Sequence, residues 1–513
     1  MLPSAAVAAA VLLAEYLLVS IRFDTAPLIA RGGLWGVFGY AGRAGLVVVL
    51  TGMATLLLGH RLGAIRNVEA RLRPPWLALH GALFAGFWLI TGLVLGGSEP
   101  PAGSAALWLS LWLTLCVASS CSLVFGLFRV TRAEVYALAG VLLLAGPAGF
   151  LAWAAGERSK WLWQPLGRAT LSATTFVLHA FSSDVAADAQ TRVLRLGSFQ
   201  VRIADECSGF EGMGLVAVLL PVYLFAFRRA LRFPNAWLLL PLGIGAMWLG
   251  NVMRLVLLML IGAQVSPTLA EGGFHSKAGW VAFCAIALGL GALSRRFSFF
   301  SRSQSVDDGA HENPSAAYLL PLLTLLATSL LTGLFATDID RAYGLRIVSS
   351  GLVLLAYRRF YRELDWRGSP IAVLVGLAVG LAWLVIPDPH ACAMPTPLPE
   401  QATLGWVFLR ALGAVSVVPL CEELAFRGYL MRWLIERDFT AVSPRRFAPF
   451  ALVASSLAFG ALHERWLIAS LSGVVFALLQ LWRGRIGEAL TAHTVANAAI
   501  AAWVVVSGDY SHW

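Results

Sequence analysis

Long apolar runs separated by short arginine-bearing loops dominate the chain. A bilayer-spanning helix needs about 20 predominantly apolar residues. Runs reaching or approaching that length lie near 4–21, 44–59, 76–97, 105–127, 134–153, 207–227, 236–262 and 276–293. A second series lies near 316–336, 345–357, 370–387, 404–420, 447–463, 465–482 and 486–506. The loops Arg61 to Arg73, Arg129 to Arg132, Arg228 to Arg232 and Ser294 to Arg302 are basic, as are Arg358 to Arg367, Arg427 to Arg446 and Arg483 to Arg485. Positive residues collect on the cytoplasmic side of membrane proteins, so these loops are expected inside. The segments 98–104, 154–206 and 387–399 then fall outside. Arg22 to Arg43 falls outside too, against the same rule.

Two stretches break the pattern. Arg192 to Ile203 alternates polar and apolar positions around Gly197-Ser198, the signature of a small β-hairpin in the outer segment 154–206, the longest polar stretch. Ser301 to Ser315 is polar and turn-rich and reads as a cytoplasmic linker. The expected architecture is an all-α polytopic membrane protein with two helical-bundle membrane domains, 1–300 and 315–513, joined by the linker 301–314. The hairpin sits in the outer loop before Cys207.

Composition sharpens the picture. The chain of 513 residues is 58% hydrophobic and 13% charged, against roughly 25% charged in soluble domains, which excludes a soluble protein. The net charge of +10 resides in inter-helix loops, so it indicates contact with membrane lipids and no nucleic-acid partner.

The first candidate chemistry is at Asp205-Glu-Cys-Ser-Gly209. A cysteine in the first turn of a membrane helix would have its thiolate favoured by free N–H groups and the helix dipole. Asp205 and Glu206 oppose this, so a reactive Cys207 needs cationic partners. The run 236–262 carries Asn251 and Arg254 in its outer half, and His275 opens the next helix. An arginine inside a membrane calls for a polar partner or wet cavity. A histidine can serve a cysteine as base, and an arginine can hold an oxyanion.

These residues, as an ordered set, resemble the exosortase/archaeosortase family of multi-pass cysteine transpeptidases. The resemblance covers roughly residues 1–300. It implies that Cys207 is the nucleophile, Arg254 stabilises the intermediate and His275 acts as acid and base. It also implies, as partners, secreted proteins with C-terminal sorting signals: a Pro-Glu-containing motif, a membrane helix and a basic tail.

The second candidate chemistry comprises Glu422 and Glu423, Arg427 four residues on, Phe459-x-x-x-His463 and His493-x-x-x-Asn497, expected on three helices. Carboxylates and histidines near a membrane can deprotonate a water or ligate a metal. The set resembles the prenyl-protein (CAAX-type) and bacteriocin-processing intramembrane proteases over roughly residues 315–506. The resemblance implies that Glu422 activates water with help from His463, that His493 and Asn497 form an oxyanion site, and that Glu423 and Arg427 support them. No cofactor is expected, with a divalent metal at Glu422, His463 and His493 left open. Hydropathy sets Glu422 toward the cytoplasm and His463 toward the outside, which fits a shared site poorly.

The two halves on one chain resemble the exosortase E type, whose substrates carry a Val-Pro-Glu-Ile-Asp-like signal. The expectation is a sorting transpeptidase or protease joined to a glutamate-type endopeptidase in a bacterial inner membrane. A proton-coupled transporter is the alternative, but no repeat relates the halves. A non-catalytic scaffold is the other.

Overall fold

The computed structural model describes residues 25–41, 73–95, 104–129, 160–203, 209–302, 313–337, 339–386 and 402–510, with scattered positions before residue 24 and the pair 69–70. Cys207, the runs near 44–59 and 134–153, most of 4–21 and of the linker, and the loop 387–399 lie outside the described residues. The described chain is mainly helical, with eight helices long and apolar enough to cross a membrane. It divides into two compact units, 1–160 with 448–454, and 161–447 with 455–513.

In the first unit, α1 (Ala26–Arg31), α2 (Pro74–Leu95) and α3 (Ala105–Leu127) are the main described helices. Phe38, Phe87, Val94 and Trp112 form their core. Apolar helices in lipid gain specificity from polar contacts, and here Trp112 Nε1 donates to Thr91 Oγ1 at 3.0 Å. His80 faces Glu15 at 2.9 Å.

The second unit opens with α4 (Trp163–Leu178), inside the polar outer segment 154–206, where no apolar run marked a helix. Its buried face is Gly167, Thr170, Leu171, Thr174 and Leu178. The threonines hide it from a hydropathy reading, although Thr174 Oγ1 simply donates back to the Thr170 carbonyl, 2.7 Å away. The expected hairpin follows and gains a third strand: β1 (Val185–Asp188), β2 (Val193–Leu196) and β3 (Phe199–Arg202) form an antiparallel sheet in that order. Leu196 pairs with Phe199, so Gly197-Ser198 is a two-residue turn, and Gly197 supplies its positive φ of 59°.

Three helices follow: α5 (Phe210–Ala226), α6 (Leu239–Gln264) and α7 (His275–Arg296). The sheet docks on α6 through Leu194, Leu196, Phe199 and Ile203, packed with Leu255, Leu258 and Met259. Gly262 makes that docking possible, because a Cβ there would lie 2.3 Å from the Phe199 ring. At the other end of these helices two basic loops meet. Arg232 N donates to Phe300 O (2.7 Å) and Arg302 N to Ala230 O (2.9 Å), matching their expected placement on one side.

The remaining helices are α8 (Pro314–Gly333), α9 (Tyr343–Ala356), α10 (Pro370–Val385), α11 (Leu404–Val415), α12 (Val417–Glu423), α13 (Pro449–Gly460), α14 (Trp466–Arg483) and α15 (Ile486–Ser507). The run 404–420 divides at Ser416, which separates α11 from α12. A π-helical turn, Leu424–Leu430, continues α12. Small residues let α10 and α15 approach closely: a Cβ on Gly376 would lie 2.4 Å from the Ala492 carbonyl oxygen. That contact fixes the helix carrying His493 and Asn497.

Candidate active sites

The first centre is built on α6. Asn251 and Arg254 stand three residues apart, hence on one face; Asn251 is buried and Arg254 half-buried. Arg254 Nη1 donates to the backbone carbonyl of His275 at 3.4 Å, and its Nε is buried without a hydrogen-bond partner. His275 is exposed at the start of α7, just ahead of the apolar span Lys277–Arg296. Desolvation, then the Arg254 charge, hold its imidazole below the usual histidine range, with Glu271 opposing.

Both flanks of the Cys207 segment rest on α6. Ile203 is buried in the cluster with Leu255 and Leu258. Gly209 caps α5 with a left-handed φ of 88°, and a Cβ on it would lie 2.9 Å from Asn251 Nδ2. Helical geometry of α5 begins at Phe210; Cys207, expected in the first turn of this helix, lies outside the described residues. Gly209 thus serves a left-handed backbone conformation and a close approach to Asn251.

The second centre gathers residues from four elements inside the bundle. Glu422 and Glu423 end α12 and are 6% and 0% exposed. Arg427, in the π-helical turn, is fully buried and lies 3.1 Å from Glu423 Oε1. It also donates through Nη2 to the Gly473 carbonyl at 3.0 Å. Its guanidinium carbon sits 4.4 Å from the centre of the Phe459 ring, a desolvated cation–π contact. From α15, His493 places Nδ1 2.9 Å from the same Glu423 oxygen. Its Nε2 lies 3.7 Å from Glu422 Oε2, too long for a hydrogen bond, and that oxygen is buried without a partner. The Phe476 ring stacks on His493, centroids 5.0 Å apart. Asn497 Nδ2 donates to the Ala414 carbonyl at 2.8 Å, one of the acceptors exposed where α11 ends.

His463 requires a correction. It stands in the turn after α13, which ends at Gly460, and not on a helix. Its Nδ1 contacts the Phe459 carbonyl at 3.0 Å, which leaves Nε2 as the acceptor nitrogen of a neutral ring. Desolvation pulls its basicity down, the Phe459 carbonyl opposes this, and the Arg427 charge adds to the depression. The depth conflict also dissolves. α13 has 12 residues, about 18 Å of helix, far short of the full crossing assumed for 447–463. A single ring, Phe459, lies 4.9 Å from His463, 5.5 Å from His493 and 4.4 Å from Arg427.

The sequence reading missed Gly473 and Phe476. A Cβ on Gly473 would lie 3.2 Å from Arg427 Nη2, Phe459 and Ser456, so glycine lets α14 pass the buried cation. The signal that could have exposed this helix is Gln480, a polar residue in an apolar run; its Nε2 points to the Arg427 carbonyl at 3.5 Å.

The donor set was tested for a metal. Among the described residues no three His, Cys, Asp or Glu side chains are grouped to hold one. Glu423 Oε1 is taken up by Arg427 and His493, and the Nδ1 of His463 by a carbonyl. Glu422 and the Nε2 atoms of His463 and His493 remain uncommitted.

The fold and these centres define a multi-pass membrane protein with buried polar machinery of the kind proteases use. Residues 44–292 match the transmembrane exosortase family, and residues 404–499 match the type II CAAX prenyl endopeptidase Rce1-like family. The chain thus joins an exosortase-like stretch to a CAAX-endopeptidase-like stretch, which supports a membrane protease function connected with protein sorting. The first match contains Cys207, Arg254 and His275; the second contains Glu422 through Asn497. Comparison with curated proteins and with solved structures finds no match.

Proposed function

We propose that the chain is a bacterial inner-membrane enzyme with two active sites, a cysteine transpeptidase or protease in residues 1–300 and a glutamate-type endopeptidase in 315–513, joined by the linker 301–314. The observation carrying the first reading is that Ile203 and Gly209, on either side of Cys207, both pack on the helix that bears Arg254. In this reading the thiol proton passes to His275 and the thiolate attacks the carbonyl carbon of a sorting-signal peptide bond. Arg254 stabilises the oxyanion, the C–N bond breaks, and His275 returns the proton to the leaving amine. The Cys207 thioester is then released by an acceptor amine or by water, whose proton His275 takes up. The substrates are secreted proteins ending in a Pro-Glu-type, Val-Pro-Glu-Ile-Asp-like signal.

At the second site Glu422 is the base for a water, with His463 and His493 beside it. Glu423 and Arg427 hold His493 in orientation, and Asn497 stands one turn further along the same helix. The free Glu422 oxygen facing His493 supports this assignment. Denaturing mass spectrometry of the enzyme after brief exposure to a signal-bearing substrate tests the first reading. The expected result is a thioester adduct on Cys207 that hydroxylamine removes. Turnover of substrate with no adduct and no hydroxamate product would overturn it.

A further inference from the structure

A cavity of about 470 Å³ opens where the exosortase-like stretch meets α8 and α9, lined by Gly272, Lys277, Ser329, Gly333, Asp340 and Arg346 among others. Lys277 is the first residue of one apolar span and Gly333 the last of another, so the cavity sits where two spans reach the same membrane surface. The Lys277 stem lies flat along α8: its methylenes are 3.5 to 4.0 Å from where a Cβ on Gly333 would stand. Among the described residues the Lys277 ammonium makes no hydrogen bond or ion pair.

The second cation is partly committed. Arg346 Nη2 bonds Asp340 Oδ2 at 2.5 Å, and Asp340 also accepts from Thr332 Oγ1 and Ala342 N. Arg346 Nε is buried with no partner. Asp340 is therefore satisfied within the protein, while the Lys277 ammonium is not, and Arg346 lines the cavity with it. Leu326 and Leu330 line the cavity deeper along α8. A volume of this size suits a small ligand, and basic pockets between membrane helices suit phospholipid headgroups.

We infer that this cavity binds the phosphate of an anionic phospholipid, with the headgroup between Lys277 and Arg346 and the glycerol end against Leu326 and Leu330. The lipid would tie α7 to α8 two residues from His275. Its function would be to hold the start of α7 in place for whatever chemistry His275 performs.

The test uses the purified full-length chain in phosphatidylcholine nanodiscs, titrated with phosphatidylglycerol and read by native mass spectrometry of retained lipid. Phosphatidylglycerol should be retained over phosphatidylcholine, and Lys277→Gln should weaken that retention roughly fivefold, the loss of one cation at a headgroup. Lys277→Gln is the informative variant because its ammonium supports no other contact, and an unchanged unfolding temperature in phosphatidylcholine alone confirms the fold. Arg346→Gln also deprives Asp340 of its partner and serves as the comparison. Equal retention of both lipids, or full retention by Lys277→Gln, would overturn the inference. So would inorganic phosphate competing at concentrations comparable to the lipid, or an acidic peptide occupying the cavity while lipid composition has no effect.

Discussion

Glu423 and His493 stand 70 residues apart in the chain and meet at 2.9 Å inside the bundle. The same Glu423 oxygen faces Arg427, whereas Glu422, one residue earlier, comes no nearer to His493 than 3.7 Å; each carboxylate also leaves its Oε2 buried without a partner. The adjacent carboxylates therefore divide their work, one holding the bundle and the other open to chemistry. Glu423→Ala leaves Arg427 buried without its counter-charge and should destabilise the protein by about 3–5 kcal/mol. Glu422→Gln should leave the unfolding temperature nearly unchanged while endopeptidase activity disappears. Thermal unfolding in detergent checks both, and equal destabilisation by the two variants would refute the division.

Gly209→Ala should cost the Cys207-dependent activity without preventing membrane insertion. A left-handed φ costs a non-glycine residue about 1–2 kcal/mol, and the added methyl would press on Asn251, 2.9 Å away. Gly214→Ala is the control, since nothing lies within 4 Å of its Cβ position. Substrate processing in membranes from each variant measures the difference; equal activity would show that the Gly209–Asn251 approach is dispensable.

The pH profile of Cys207-dependent processing carries the sign of the His275 environment. A lowered pKa keeps the imidazole neutral at pH 7, and the base is lost only as pH falls through that lowered value. The acid limb should therefore lie below about 6.5, the ordinary histidine value. Glu271 acts in the opposite direction, so Glu271→Gln should move the limb further down. A limb above 6.5, or an upward shift in Glu271→Gln, would contradict the assignment of His275 as base.

Hydropathy located the described helices well, because in this chain the membrane imposes one long apolar period and basic loops punctuate it. The run 105–127 is helix over those residues, and 486–506 is α15 to within one residue. What escaped was local backbone chemistry. The left-handed cap at Gly209, the early end of α13 and the π-helical turn around Arg427 arise from tertiary contacts that a window average erases. α4 escaped because threonines form its buried face. The site residues were legible as residue types at helical spacings. Their convergence on the Phe459 ring was not, since an aromatic in an apolar run carries no mark of the cation and histidines it will touch. Gly473 was invisible for the same reason: its role is to be absent.

The central claim, two active sites in series on one chain, is tested most directly by a single processing assay. A secreted reporter ending in a Pro-Glu-type signal is co-expressed with the intact chain, Cys207→Ala or Glu422→Gln, and the mature reporter is quantified at equal enzyme levels. The account predicts no mature reporter with Cys207→Ala and near-normal maturation with Glu422→Gln. Wild-type maturation by Cys207→Ala would contradict the cysteine as nucleophile, and loss of maturation in a folded Glu422→Gln variant would contradict the independence of the two sites.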